Sequence, residues 1–133
     1  MESFRILVVD DELDFTETIV NRLTKRNLVA LGVGSGEAAI EALRNASFDV
    51  VLLDIKMPGG MDGIDVLREV KRLRPEAEVI LLTGHASIET SIEGMKLGAF
   101  DYLLKPIRFD ELLDKLAAAF KKKASLSRSS DGH

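Results

Sequence analysis

Five short aliphatic runs, each followed by an amphipathic stretch, constrain this chain more than any other feature of its sequence. The runs are Arg5 to Val9, Leu28 to Gly32, Asp49 to Leu53, Glu78 to Leu82 and Phe100 to Leu104, which read as strands. Between and after them apolar residues recur at helical spacing: Phe15, Ile19, Leu23; Ala39, Ile40, Leu43; Leu67, Val70, Leu73; Ile88, Ile92, Met95; and Leu112, Leu116, Phe120. Ser35 and Ser87 stand where helix N-caps belong, Pro75 where the third helix must stop, and Gly98 where the fourth leaves through the left-handed region. Strict strand–helix alternation with short connections predicts a parallel sheet covered by helices on both faces. A chain of 133 residues holds one such domain and not two.

Charge and composition then remove whole classes of function. With 18 Lys and Arg against 22 Asp and Glu, the net charge of −4 offers no general field for nucleic acid or an anionic bilayer. No apolar run approaches the roughly 18 residues of a membrane span, and the N-terminus lacks the basic-then-apolar pattern of a signal peptide. The chain therefore reads as soluble and cytoplasmic. Cysteine is absent and the only histidines are His85 and His133, which excludes disulfides, thiolate nucleophiles and multi-histidine zinc sites. After Lys121, Lys122 and Lys123 the sequence turns polar and serine-rich. Residues 1–123 thus read as the domain, and 124–133 as a flexible tail or the start of a severed linker.

In a parallel sheet of this kind ligands bind beyond the carboxyl ends of the strands. Asp10 and Asp11 follow the first strand, Asp54 the third, Thr83 the fourth, and Lys105 with Pro106 the fifth, whereas the second ends in glycines. If the first and third strands are neighbours, three carboxylates converge, and each pair repels by about 3 kcal/mol at ~5 Å and an effective dielectric near 20. Such a cluster needs a cation, and carboxylates without His or Cys select a hard one. Mg²⁺, which keeps waters and a phosphate oxygen in its shell, fits that description and suggests phosphoryl chemistry. Each residue also has a purely structural reading. Asp10 and Asp11 would cap the first helix, Asp54 would open a loop, Thr83 would close a strand, and Lys105 would be a solvated charge. Their meeting at four strand ends favours chemistry.

At this point the sequence resembles a known family, the receiver domains of bacterial two-component response regulators. The resemblance rests on LVVDDE (Leu7 to Glu12), LLDIKMP (Leu52 to Pro58), MDG (Met61 to Gly63), LTGHA (Leu82 to Ala86) and GAFDYLLKP (Gly98 to Pro106), in order, and runs from residue 4 to about 122. The wording of the last two motifs looks most like receivers attached to sigma-54 activators. The resemblance implies a flavodoxin-like (βα)5 three-layer sandwich with a five-stranded parallel sheet in the order 2-1-3-4-5. It implies that Asp54 is the phosphoacceptor, taking a phosphoryl group from the phosphohistidine of a sensor histidine kinase. Asp11, Asp54 and the backbone carbonyl of Lys56 would hold Mg²⁺, with Mn²⁺ as a substitute, while Asp10 would act mostly through the ion's waters. Lys105 and Thr83 would meet the charge that spreads over the phosphoryl oxygens, and a cis bond before Pro106 would aim the lysine across the sheet end.

The same resemblance makes Thr83 and Tyr102 a switch, the threonine moving toward the phosphoryl group and the tyrosine turning into the vacated space. The switched surface would be the fourth helix, fifth strand and fifth helix, with Ile88, Glu89, Glu93, Lys96, Asp101, Asp114 and Lys115 as contacts for output or for a phosphorylation-dependent homodimer. Tyr102 as simple packing against the fourth helix is the alternative. Lys56 and His85 occupy the family's two variable positions that tune phosphoryl lifetime; His85 would contact the phosphoryl group or titrate near neutral pH, or serve only as an exposed loop residue. Such a protein assists its own phosphorylation and dephosphorylation without being a turnover enzyme.

The pattern departs from the family in one place: two residues, Gly59 and Gly60, separate Pro58 from MDG where one is usual. The expectation is a mobile loop or a bulge. Rival readings fail on particulars. Gly34 to Ala39 fits the dinucleotide pattern G-x-G-x-x-A, but it follows the second strand and leaves Asp10, Asp11, Thr83 and Lys105 without a role. A haloacid-dehalogenase-like hydrolase needs D-x-D-x-T/V, which Asp10 to Asp14 does not supply. A receiver-shaped module that is never phosphorylated remains the third alternative, opposed by the five filled key positions.

Overall fold

The computed structural model describes residues 3–84 and 87–131 of the chain. Ten elements alternate through it: β1 (Arg5–Val9), α1 (Leu13–Thr24), β2 (Val29–Val33), α2 (Gly36–Asn45), β3 (Val50–Asp54), α3 (Gly63–Leu73), β4 (Glu78–Thr83), α4 (Ile88–Lys96), β5 (Asp101–Leu104) and α5 (Phe109–Asp131). All neighbouring strands are parallel, in the order β2-β1-β3-β4-β5, which is the flavodoxin-like arrangement. Alternate residues of the inner strands enter two cores. Leu7, Val9, Val51, Leu53, Val79 and Leu81 pack with Ala39, Leu43, Leu67 and Val70 of α2 and α3. Ile6, Val8, Val50, Leu52, Ile80 and Leu82 pack with Ile19 and Leu23 of α1 and with Leu112 and Leu116 of α5. Because both faces are covered, β1, β3 and β4 are nearly continuous apolar runs, while the edge strand β2 is only half-buried.

The strand ends fall one residue from where the sequence pattern places several of them, and this matters for the site. Asp54 and Thr83 are the last residues of β3 and β4, whereas Asp10 and Lys105 lie just beyond β1 and β5. Val9 stands beside Leu53, Asp54 beside Leu82, and Thr83 beside Leu104, so all four reach one edge of the sheet.

Local chemistry explains most element ends. The Ser35 hydroxyl accepts from the Ala38 amide (3.1 Å) and caps α2, and Ser35→Ala is expected to lower stability by about 1 kcal/mol in urea unfolding. Asp62 and Asp65 form a capping box at the start of α3. Gly98 leaves α4 with φ of 105°.

One expectation is corrected. Ser87 does not cap α4 with its side chain; its carbonyl instead accepts from the Ser91 hydroxyl (3.1 Å). Helix α5 runs to Asp131, with no Gly or Pro before Gly132.

Helix α4 inverts the usual arrangement. Its apolar residues Ile88, Ile92 and Met95 are exposed, and the residues it buries are Ser91 and Gly94. A Cβ on Gly94 would lie 2.4 Å from Leu81 Cδ1, so glycine lets α4 approach β4 closely with its apolar stripe outward. Among the described residues, no helix is long and apolar enough to cross a membrane.

Candidate functional site

Where β1 gives way to α1, the Asp10 carboxylate accepts from the Glu12 amide (2.9 Å) and its carbonyl accepts from the Thr16 hydroxyl (3.1 Å). Asp10 thus does part of the capping work and is also fully buried at the strand edge. Carboxylate oxygens of Asp10, Asp11 and Asp54 all lie within 4.8 Å of one another. From β5, the Lys105 ammonium reaches across to Asp10 (3.0 Å), Glu12 (3.5 Å) and Asp54 (3.6 Å). The Lys56 amide donates to Asp54 (3.3 Å), and the Lys105–Pro106 peptide bond is cis.

These contacts set the electrostatics. Burial raises the Asp54 carboxyl to about 6, the Asp10 charge adds to the rise, and Lys105 and the Lys56 amide offset part of it. For Lys105, burial opposes the charge, but the hydrogen bond to Asp10 and the charges of Asp54, Asp10 and Glu12 hold the ammonium above its ordinary range. Three carboxylates and Glu12 around a single ammonium leave the cluster anionic.

A cavity of about 390 Å³ opens there, lined by Asp11, Glu12, Asp54, Lys56, Thr83, Gly84, Ser87 and Lys105. The donor set is oxygen only and strongly negative, with room beside it for waters and a phosphoryl group, which fits Mg²⁺ and not a soft metal. Thr83 is buried, and its hydroxyl donates to the Gly84 carbonyl (3.0 Å). Tyr102 lies outside this cavity, partly exposed over a neighbouring hollow shared with Asp101, Leu104, Lys105, Arg108 and Lys115. His85 lies outside the described residues.

The Gly59–Gly60 loop is pinned. Both glycines have positive φ, 73° and 49°, and the Met61 amide donates to the Glu37 carboxylate (3.0 Å). That bond holds the Glu37 carboxyl below its ordinary range. A Cβ on Gly60 would lie 2.4 Å from the same carboxylate, so the insertion is accommodated against α2. Gly34, first of the dinucleotide-like glycines, has open space around it and no positive φ, and the second, Gly36, is crowded by Val66 and Met61, so the glycine there serves packing within the fold. Sequence reasoning missed Glu12, Thr16 and Glu37. Glu12 stood inside the LVVDDE motif and Thr16 bonds back to Asp10 and Glu12 within the same turn, whereas the partner of Glu37 is distant in sequence and carries no local signal.

The response regulator receiver domain family matches residues 6–117 of this chain. The transcriptional regulatory protein ZraR of Escherichia coli (strain K12) is 39% identical over 118 residues, covering 89% of this chain and 26% of that protein. The chain thus spans about a quarter of the length of the curated relatives it matches. Among solved structures, NtrX from Brucella abortus in complex with ADP superposes with a TM-score of 0.94 at 29% identity, over 99% of this chain and 30% of that one. A response regulator receiver domain protein from Clostridium thermocellum gives 0.87 at 36% identity, over 92% of this chain and 98% of that one.

Proposed function

The chain belongs to the response regulator receiver domain family, and on that premise we propose that Asp54 accepts a phosphoryl group from the phosphohistidine of a sensor histidine kinase. The observation that carries the proposal is the position of Asp54 at a strand end, within 4.8 Å of two other carboxylates and facing a lysine ammonium. An Asp54 oxygen attacks phosphorus, the bond from phosphorus to the imidazole nitrogen breaks, and the imidazole leaves with the electron pair. Asp11, Asp54 and the Lys56 carbonyl would hold Mg²⁺, with Asp10 acting mostly through its waters, and the ion would supply positive charge to the phosphoryl oxygens. Lys105 meets a second oxygen. Thr83 gives up Gly84 to meet a third.

Release of Thr83 from Gly84 is the local event of the switch, and Tyr102 is the aromatic that follows it inward. Support for α4, β5 and α5 as the switched face comes from the exposed Ile88, Ile92, Met95, Tyr102 and Leu104, an unusual density of apolar side chains for one surface. A second copy of the chain would cover them when Asp54 is phosphorylated, with Glu89, Glu93, Lys96, Asp114 and the Asp101–Lys115 pair at the rim. Lys56 tunes phosphoryl lifetime from the cavity wall, and His85, two residues past Thr83 in sequence, is the second tuning position. The domain is a phosphoacceptor working in the cytoplasm, not a turnover enzyme. It is similar to the receivers of sigma-54 activators, with residues 1–123 as the receiver and 124–133 as a flexible tail or the start of a linker.

Incubation with acetyl phosphate and Mg²⁺ is expected to add one phosphoryl group by intact-protein mass, and to add none with Asp54→Asn or without metal. No adduct, together with no beryllofluoride complex, would leave an interaction module that is never phosphorylated.

A further inference from the structure

We propose that Phe15 is a positioning residue for Lys105, holding its ammonium at the carboxylate cluster through the face of the aromatic ring. The inference rests on the reading of Asp54 as phosphoacceptor. The Lys105 ammonium lies 5.2 Å from the centre of the Phe15 ring, within the reach of cation–π attraction. Phe15 is half-buried and packs on the core formed by α1, α5 and the sheet, so the core and not the lysine decides where the ring stands. Its neighbour Thr16 binds the Asp10 backbone carbonyl, and the same turn of α1 therefore ties the ring to the residue whose carboxylate Lys105 pairs with.

The need for such a device follows from the lysine itself. A lysine is a point charge on a flexible stem, and its three charged partners here, Asp10, Glu12 and Asp54, all change in weight when Asp54 gains a phosphoryl group or the cluster gains a cation. The ring carries no net charge, so its attraction for the ammonium does not depend on those changes. It attracts the ammonium without competing as a hydrogen-bond acceptor, so the lysine stays near the site and remains free to turn to a phosphoryl oxygen. An aliphatic residue at position 15 would fill the core equally and supply none of this attraction.

Two readouts test the inference. In the parent, the Lys105 ε-methylene protons are expected upfield by ring current in spectra of selectively labelled protein; the shift is lost in Phe15→Leu and kept in Phe15→Tyr. The initial rate of phosphorylation by acetyl phosphate with Mg²⁺ is expected to fall about fivefold in Phe15→Leu and to stay within about twofold in Phe15→Tyr. With Lys105→Ala as the background, adding Phe15→Leu is expected to change the remaining rate by less than about twofold. Small phosphodonors keep kinase docking out of the measurement.

An unshifted Lys105 resonance overturns the contact. Equal slowing by Phe15→Leu with and without Lys105 overturns the positioning role in favour of packing. A parent protein that takes up no phosphoryl group overturns the phosphoacceptor reading and the catalytic half of the inference with it. The ring-current shift then identifies that reading as the part that failed.

Discussion

Metal-free protein carrying Asp54→Asn is expected to be more stable than the parent at pH 8, by about 1–2 kcal/mol, with the gap closing near pH 4. The cause is the Asp54 carboxyl, raised from 3.8 to about 6 by burial and by Asp10. A folded state that holds a proton more tightly than the unfolded chain is favoured where that proton is present. The stability from Asp54 is therefore complete below about 3.8, is lost as pH rises through about 6, and is absent at pH 8. A shift of that size corresponds to about 3 kcal/mol, and water reaching the open cavity reduces it to the smaller figure. Asparagine removes the charge while keeping an acceptor for the Lys56 amide, and Lys105 retains Asp10 and Glu12. Tryptophan is absent, so urea unfolding is followed by circular dichroism. Mg²⁺ is expected to stabilise the parent at pH 8 and the variant much less. A variant no more stable than the parent at pH 8 would mean that burying the charged Asp54 carboxylate beside Asp10 costs this fold nothing.

The site was legible in the sequence as far as the strand-end positions of Asp10, Asp11, Asp54, Thr83 and Lys105, because these follow from alternation once the sheet is parallel. Strand order was not legible from spacing. It came from the likeness of five motifs to a family, and the pairing of β1 with both β2 and β3 bears it out. Helical periodicity located α4 but not the direction of its stripe. Ile88, Ile92 and Met95 recur as core residues would, yet Gly94 against Leu81 turns the small side inward, a decision made by the sheet. Helix α5 runs to Asp131 through a serine-rich stretch whose composition alone reads as a loop, since no Gly or Pro breaks it. The Phe15–Lys105 and Glu37–Met61 contacts join residues on different elements, and one sequence holds no record of such pairs.

The junction of β3 and α3 sets the second large effect: Gly63→Ala is expected to cost about 3 kcal/mol and to weaken Mg²⁺ binding about tenfold. A Cβ at position 63 would lie 2.5 Å from Ile55 Cα, 2.6 Å from the Asp54 carbonyl oxygen and 2.8 Å from that of Ile55. All three are backbone atoms, and no side chain can swing aside to make room. The Gly63 amide also donates to the Ile55 carbonyl (3.0 Å), so the new methyl must break that bond or push the end of β3. Moving the end of β3 moves Asp54 relative to Asp10 and Asp11, which is why the metal site suffers along with the fold. Two other glycines calibrate the result. At Gly36 the Cβ would lie 2.6 Å from Val66 Cγ2, which can turn aside, and 2.8 Å from Met61 Cβ, which moves only with the loop that carries it, and the cost is expected to be about 2 kcal/mol. At Gly34 nothing lies within 4 Å, and alanine is expected to change stability by less than about 0.5 kcal/mol. Unfolding midpoints and Mn²⁺ titrations followed by electron paramagnetic resonance give both quantities for all three variants. Equal stability for the substitutions at 63 and 34 would mean that α3 can step back from β3 freely, and that Asp54 is held by its own strand alone.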